Sequence, residues 1–319
     1  MIFYFSATGN SRFVAENIGR EIGERIVEIR RNEDEGGKTI FEDGKFGFEN
    51  GKDESDVGKT GFDAGKAEGE VVTADREIGN SESETKRQVA DIISHIGANE
   101  NIGFVFPIYG WQLPEIVNEF IHRLAAQMNP QIVDGRYIWV AVTCGDDIGM
   151  ADRCINRILR ASGLHMDAIF SVTMPNTYVC LPSFDVDKPE IRRRKLSRCA
   201  ERVATIAERV KKRTKIVDIH RGALPFFKTY VLGALFHRFL ITDKPFHATD
   251  ACTHCGLCAR ACPLSNISIS LSALPQWHHR CIGCLRCYHQ CPVRAIRFGK
   301  QTERKGQYTF RHFSAETHS

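Results

Sequence analysis

Eight of the twelve cysteines fall into two runs of one spacing, C-x2-C-x2-C-x3-C, each followed by proline. The first run is Cys252, Cys255, Cys258 and Cys262, then Pro263; the second is Cys281, Cys284, Cys287 and Cys291, then Pro292. Three closely spaced thiolates can grip three irons of one cubane from a single tight loop. A fourth cysteine just before proline lies beyond the reach of that loop. Structural zinc uses paired C-x2-C knuckles, not a triple run of this kind. The start of the chain, MIFYFSATGN, has no basic region ahead of an apolar stretch, so it does not read as a secretory signal. The expectation is a cytoplasmic protein whose cysteines bind metal rather than form disulfides.

The two runs resemble the bacterial two-cluster ferredoxins, and neither departs from that family's spacing. The resemblance implies two [4Fe–4S] clusters. The fourth cysteine of each run would ligate the other run's cluster, one held by Cys252, Cys255, Cys258 and Cys291, the other by Cys281, Cys284, Cys287 and Cys262. Gly256 and Gly283 fit tight turns whose N–H groups approach the sulfurs. Short apolar segments, Ile269 and Leu271 after the first run and Ala295–Phe298 after the second, fit the two halves of a small α+β domain.

The first half of the chain alternates strands with helices. Strands are expected over Met1–Phe5, Ile26–Ile29, Asn101–Phe106, Tyr137–Val142 and Ile169–Met174. Helices are expected from Phe13 to Ile22 and over Thr85–Ile96, Pro114–Met128 and Met150–Ala161. This alternation implies a five-stranded parallel sheet covered on both faces. Ligands in such sheets bind beyond the carboxyl ends of the strands.

The informative loops fall at those ends. After the first strand comes Ser6-Ala7-Thr8-Gly9-Asn10-Ser11, opening a helix. Small hydroxyl residues and a glycine let backbone N–H groups converge on a phosphate, helped by the helix N-terminus. The loop has no lysine, so it is not a Walker loop. After the third strand, Pro107, Tyr109, Gly110 and Trp111 place two aromatics where they could flank a planar ring. After the fourth strand come Thr143, Cys144 and Gly145. This constellation resembles the flavodoxin family, a doubly wound α/β fold, and Ser6, Thr8, Gly9, Asn10 and Ser11 match its phosphate loop. The resemblance implies FMN. Cys144, Cys154, Cys180 and Cys199 read as small buried hydrophobes.

Three further segments complete the organisation. Residues 33–85 carry sixteen acids against six bases, with Gly-Lys recurring every seven residues from Gly37 to Lys66 and Phe41, Phe48 and Phe62 in one phase. A glycine in each repeat and no a/d apolar pair exclude a coiled coil; a low-complexity surface insertion is expected. Pro189 opens a helix to about Lys212, with Leu196, Cys199, Val203, Ile206 and Val210 on one face. Residues 190–215 hold eleven Lys and Arg against three acids. That cationic side reads as a solvated helix face, and no nucleic-acid partner is expected. Ala223–Ile241 is apolar but interrupted by Lys228, His237 and Arg238, so it is not expected to span a membrane. It is expected to pack the two units together, with peripheral membrane attachment as the alternative.

The expected organisation is a flavodoxin-like domain over 1–180, a helical extension and linker over 181–245, a ferredoxin domain over 246–300 and a polar tail over 301–319. The whole resembles bacterial fusions of a flavodoxin-like with a two-cluster ferredoxin domain. Ile102–Pro107 with Tyr109-Gly110-Trp111, and Ile241–Lys244 leading towards Cys252, carry that match. The resemblance implies an electron carrier with redox-protein partners. The alternatives are a carrier whose sheet domain holds no flavin, a flavin-dependent reductase of a small substrate, and a non-catalytic cluster-sensing or nucleic-acid-binding module. No G-x-G-x-x-G follows a strand, so direct use of a nicotinamide is not expected.

Overall fold

The computed structural model describes residues 1–30, 90–91, 93–97, 100–128, 135–270 and 273–310. The acidic insertion and its repeat lie outside the described residues. So does half of the helix expected over Thr85–Ile96, of which residues 90, 91, 93 and 94 are described and helical.

Six strands form a parallel sheet: β1 (Ile2–Tyr4), β2 (Ile26–Glu28), β3 (Ile102–Pro107), β4 (Ile138–Cys144), β5 (Ala168–Thr173) and β6 (Ile216–Asp218), in the order β2-β1-β3-β4-β5-β6. All neighbours run parallel, with Ile2 opposite Gly103, Phe104 opposite Val140 and Val140 opposite Ile169. The order of the first five is the flavodoxin-like doubly wound order. The sixth strand was not legible in the sequence. It has only three half-exposed or exposed residues, too few to show an alternating pattern. It is held by Arg202, whose Nη1 donates to Asp218 Oδ2 at 2.8 Å.

Alternation along the strands divides the core into two layers. Phe3, Phe104, Phe106, Val140, Val142 and Ile169 face α2 (Glu115–Gln127) and α3 (Ala151–Ala161), meeting Ile116, Ile121, Leu124 and Ile155. Ile2, Tyr4, Val105, Trp139, Phe170 and Val172 face α1 (Asn10–Ile22) and α4 (Pro189–Lys211), meeting Val14, Ile18, Val203 and Ile206. Each fully buried phenylalanine contributes roughly 2–3 kcal/mol by removal from water. Gly103 is required by close approach, since a Cβ there would lie 2.4 Å from the Trp139 ring.

Beyond β6 the chain forms one continuous helix, α5, wound as a π-helix over Phe227–Leu232, an α-helical turn over Gly233–Leu235 and a π-helix over Phe236–Leu240. No helix among the described residues is long and apolar enough to cross a membrane. The remaining elements are β7 (Phe246–Ala248), α6 (Leu257–Ala261), β8 (Ile267–Ser270), β9 (Ala273–Trp277), α7 (Arg286–Gln290) and β10 (Ile296–Phe298). β7 pairs antiparallel with β10 and β8 with β9. The result is a small α+β unit beside the α/β sheet.

Candidate functional site

Each cysteine run folds as a loop, one turn of helix and an extended exit. In the first run Gly256 takes φ +71° and starts α6; in the second Leu285 takes φ +57° and starts α7. Cys262 and Cys291 then leave those helices in extended conformation. Gly283 is also left-handed, at φ +68°, and its N–H donates to Cys281 Sγ at 3.3 Å. The exit cysteines receive backbone donors too: Asn266 N to Cys262 Sγ at 3.3 Å and Ala295 N to Cys291 Sγ at 3.2 Å.

The pairing of β7 with β10 sets the two loops face to face, so the exit cysteine of each run crosses to the other loop. One cavity, of about 310 Å³ counted out to its mouth, is lined by Cys252, Cys255, Cys258 and Cys291. The second, of about 350 Å³, is lined by Cys281, Cys284, Cys287 and Cys262. All eight are free thiols. The rest of each lining is mainly apolar, including Ile269, Pro275 and Ile296 in the first and Phe246, Leu264 and Trp277 in the second. Burial pushes the Cys281 thiol up to about 12, Cys287 well above its ordinary value, and Cys284 and Cys258 upward as well. Thiols buried this way stay protonated until a metal centre displaces the proton.

The two cavities differ in setting. Cys255 is exposed at the first. The second is pressed on the carboxyl edge of the sheet, where Leu264, Ile282, Cys262 and Cys284 join the core layer of Leu113 and Ile116. Arg286 fastens the contact. It donates to the Ser6 carbonyl oxygen, donates to Ala261 O at 3.3 Å, reaches Glu28 Oε1 at 3.4 Å and lies over the Phe5 ring. His289, also on α7, accepts from Tyr308 N at Nδ1 (3.3 Å), so its Nε2–H donates to Thr177 O (2.7 Å). Burial lowers its pKa to about 4, and the ring is neutral at pH 7.

The residues expected around a flavin are brought to one edge but are engaged with the chain itself. Gly9 is left-handed at φ +97°, its N–H donates to Ser6 Oγ at 3.2 Å, and Ser11 Oγ meets Thr143 Oγ1 at 2.7 Å. Asn10 Nδ2 donates to Pro175 O at 3.0 Å. Ser6, Thr8, Asn10 and Ser11 are buried. Gly145 O accepts from Lys195 Nζ at 2.7 Å. Pro107 ends β3, opposite Thr143. Tyr109 and Trp111 do not stand as a free pair. Trp111 Nε1 donates to Asp147 Oδ1 at 3.0 Å, and a Cβ on Gly110 would strike Phe236 at 2.4 Å. Tyr109 packs with Cys262 and Cys284 against the same core layer. Its buried Oη has no hydrogen-bond partner among the described residues, and burial, then the neighbouring Cys284, raises its pKa well above 10.0.

The polar tail expected over 301–319 is, as far as Phe310, a packed strap. Tyr308 OH donates to Asn10 Oδ1 at 2.9 Å, Phe310 N donates to Thr8 O at 2.8 Å, and the Phe310 ring stacks on Phe13 at 4.4 Å. The alternating Tyr308-Thr309-Phe310 was the available signal. Arg286 left none, because one arginine inside a cysteine run looks like any other. Of the remaining cysteines, Cys144, Cys180 and Cys199 are buried, with thiols pushed up to about 12 by burial, which suits packing rather than redox chemistry.

Comparison with known proteins agrees with the cysteine geometry. Residues 244–292, containing all eight run cysteines, match the family model described as a 4Fe-4S dicluster domain. No curated protein matches the chain. Among solved structures, an FMN-dependent NADH-azoreductase from Bacillus anthracis str. Ames Ancestor, in complex with FMN, is similar over 65% of this chain and 99% of its own, at 10% identity and a TM-score of 0.33.

Proposed function

We propose that this chain is an electron-transfer protein working through two [4Fe–4S] clusters, one in each four-cysteine cavity. The observation that carries the reading is the exchange of exit cysteines: each triplet loop is completed by the last cysteine of the other run. When bound, such clusters supply one-electron transfer at potentials set by charge, burial and hydrogen bonds to sulfur. The chain provides those controls. Gly283, Asn266 and Ala295 aim N–H groups at cysteine sulfurs. Tyr109, whose ring packs with Cys262 and Cys284 and whose hydroxyl is unpartnered among the described residues, would be a further donor to the second cluster, and apolar linings exclude water. The first cavity, with exposed Cys255, is the end open to a redox-protein partner.

Iron and sulfide content of the anaerobically reconstituted chain tests this. About eight irons and eight sulfides are expected, four of each per cluster. Zinc without sulfide, or a single cluster's worth of iron, overturns it.

A second reading adds FMN, carried by the left-handed Gly9 loop at an α1 N-terminus that has no side-chain cap and no acid in its first turn. Ser6–Ser11 would hold the phosphate. The ring-flanking role expected of Tyr109 and Trp111 does not fit their engagements, so no flavin step is assigned to them. One FMN per reconstituted chain is expected on this reading, and none after dialysis against excess FMN rejects it.

A further inference from the structure

Helix α5 is amphipathic the wrong way round for a helix packed on a protein. Apart from Phe236, which packs on Gly110 and Tyr178, its inward face is polar or small. Lys228 Nζ pairs with Asp147 Oδ2, Thr229 Oγ1 accepts from Met150 N at 2.8 Å, and His237 Nε2 meets Tyr109 O at 2.8 Å. Gly233 is buried so close to Gly110 that a Cβ would lie 2.8 Å from its carbonyl oxygen. The apolar side chains point outward. Leu224 is 72% exposed, Phe226 64%, Leu235 50% and Phe239 62%, with Phe227 and Val231 also open. The i, i+4 series 227, 231, 235, 239 runs along the helix as one stripe, with Leu224 and Phe226 exposed just ahead of it.

We propose that this stripe docks on the surface of an anionic phospholipid bilayer. The charge pattern selects that occupant. No Asp or Glu occurs between Asp218 and Asp243, while Arg238 within the helix and Lys244 just after it are exposed. Arg238 lies over the Phe239 ring, 5.7 Å from its centroid, presenting a cation at the rim of the apolar face. The same stripe on a second copy, facing this one across a twofold axis, would bring the same cations. Phenylalanines and leucines on one face with basic residues at its margin are the make-up of a helix that lies in the headgroup region without crossing it. The location gives docking a consequence. A Cβ on Gly283, inside the second cysteine loop, would lie 3.6 Å from Ile241 at the end of α5. The second cavity is therefore held next to the docking helix, and a bound bilayer would lie close to it.

The test is flotation of the full, iron-loaded chain with vesicles of phosphatidylcholine alone and with vesicles containing about a third phosphatidylglycerol. Binding at least tenfold stronger to the anionic vesicles is expected. Leu235→Glu with Phe239→Glu is expected to abolish it, and Arg238→Gln to weaken it about fivefold, the effect of one cation near a charged surface. All three residues are exposed, and unchanged iron content in the variants shows that they fold. That content also separates failure here from failure of the cluster reading, because vesicle binding does not depend on what the cavities hold. No flotation with either vesicle, equal flotation with both, or undiminished flotation of the double variant overturns the proposal. So does a dimer broken by the same substitutions without any vesicle binding, which would make the occupant a second copy.

Discussion

Arg286 donates to the carbonyl oxygen of Ser6, 280 positions earlier in the chain. One guanidinium thus joins the second cysteine loop to the first loop of the sheet and also reaches Glu28. Arg286→Met keeps the apolar stem but leaves the Ser6 carbonyl and Glu28 without this donor. A loss of about 2 kcal/mol is expected in denaturant unfolding of the loaded chain. Faster hydrogen exchange is expected over residues 107–113. An unchanged midpoint would mean that the apolar contacts and the other polar ties, such as His289 to Thr177, hold the two units together without it.

Tyr109→Phe removes one hydroxyl and nothing else. The phenol has no partner among the described residues and its ring packs with Cys262 and Cys284; a donor to a cluster there would stabilise the more negative, reduced centre. Its loss is expected to lower one cluster potential by about 20–60 mV, the equivalent of a single net hydrogen bond for a one-electron couple. The other potential should not move. Redox titration followed by electron paramagnetic resonance reads both. Equal shifts in both centres would place the hydroxyl elsewhere.

Loading the cavities should acidify an unbuffered solution. The thiols of Cys258, Cys281, Cys284 and Cys287 are all raised by burial, Cys281 to about 12, so they are protonated at pH 7 and each releases a proton on becoming a ligand. Loading therefore strengthens as pH rises. The cluster-free fold behaves oppositely. A raised thiol pKa favours the folded chain below 9.0, the ordinary value, and that advantage is lost between 9.0 and about 12. A pH-stat measures the release during reconstitution. Eight ligand thiols and eight hydrosulfides give up about sixteen protons per chain, and a release well below that contradicts the assignment.

The strap competes for the loop it covers. Tyr308→Phe with Phe310→Ala removes a hydrogen bond to Asn10 and a ring stacked on Phe13. The expected cost is about 2 kcal/mol of stability. If Ser6–Ser11 holds a phosphate, this variant takes up FMN at least tenfold more tightly than the parent in a fluorescence titration. Equal affinities would separate the strap from the loop's chemistry.

The parts of the molecule that follow local rules could be read from the sequence. The cysteine spacing led to both four-thiol cavities, because a C-x2-C-x2-C loop has few ways to fold. Ile102–Pro107 and Ile138–Cys144 are long, apolar strands, and their alternate residues divide between the two core layers as pleating requires. Direction was harder. The apolar residues of 223–241 read as a packing face, yet the structure turns them out. Lys228, Thr229 and His237 find specific partners in Asp147, Met150 and Tyr109, and those partners lie far away in sequence. Tyr109 was legible as a residue of the carboxyl edge of the sheet. What it faces depends on how a cysteine loop from the far end of the chain docks there, and no local pattern records that.

The exchange of Cys262 and Cys291 also sets an order of birth. During synthesis the run at 252–258 emerges first, but its cavity lacks a wall until Cys291, the last cysteine of the chain, has followed. The run made second, by contrast, finds Cys262 already waiting. The first loop to leave the ribosome is thus the last that can be completed, and a chain cut short anywhere before residue 291 leaves it open.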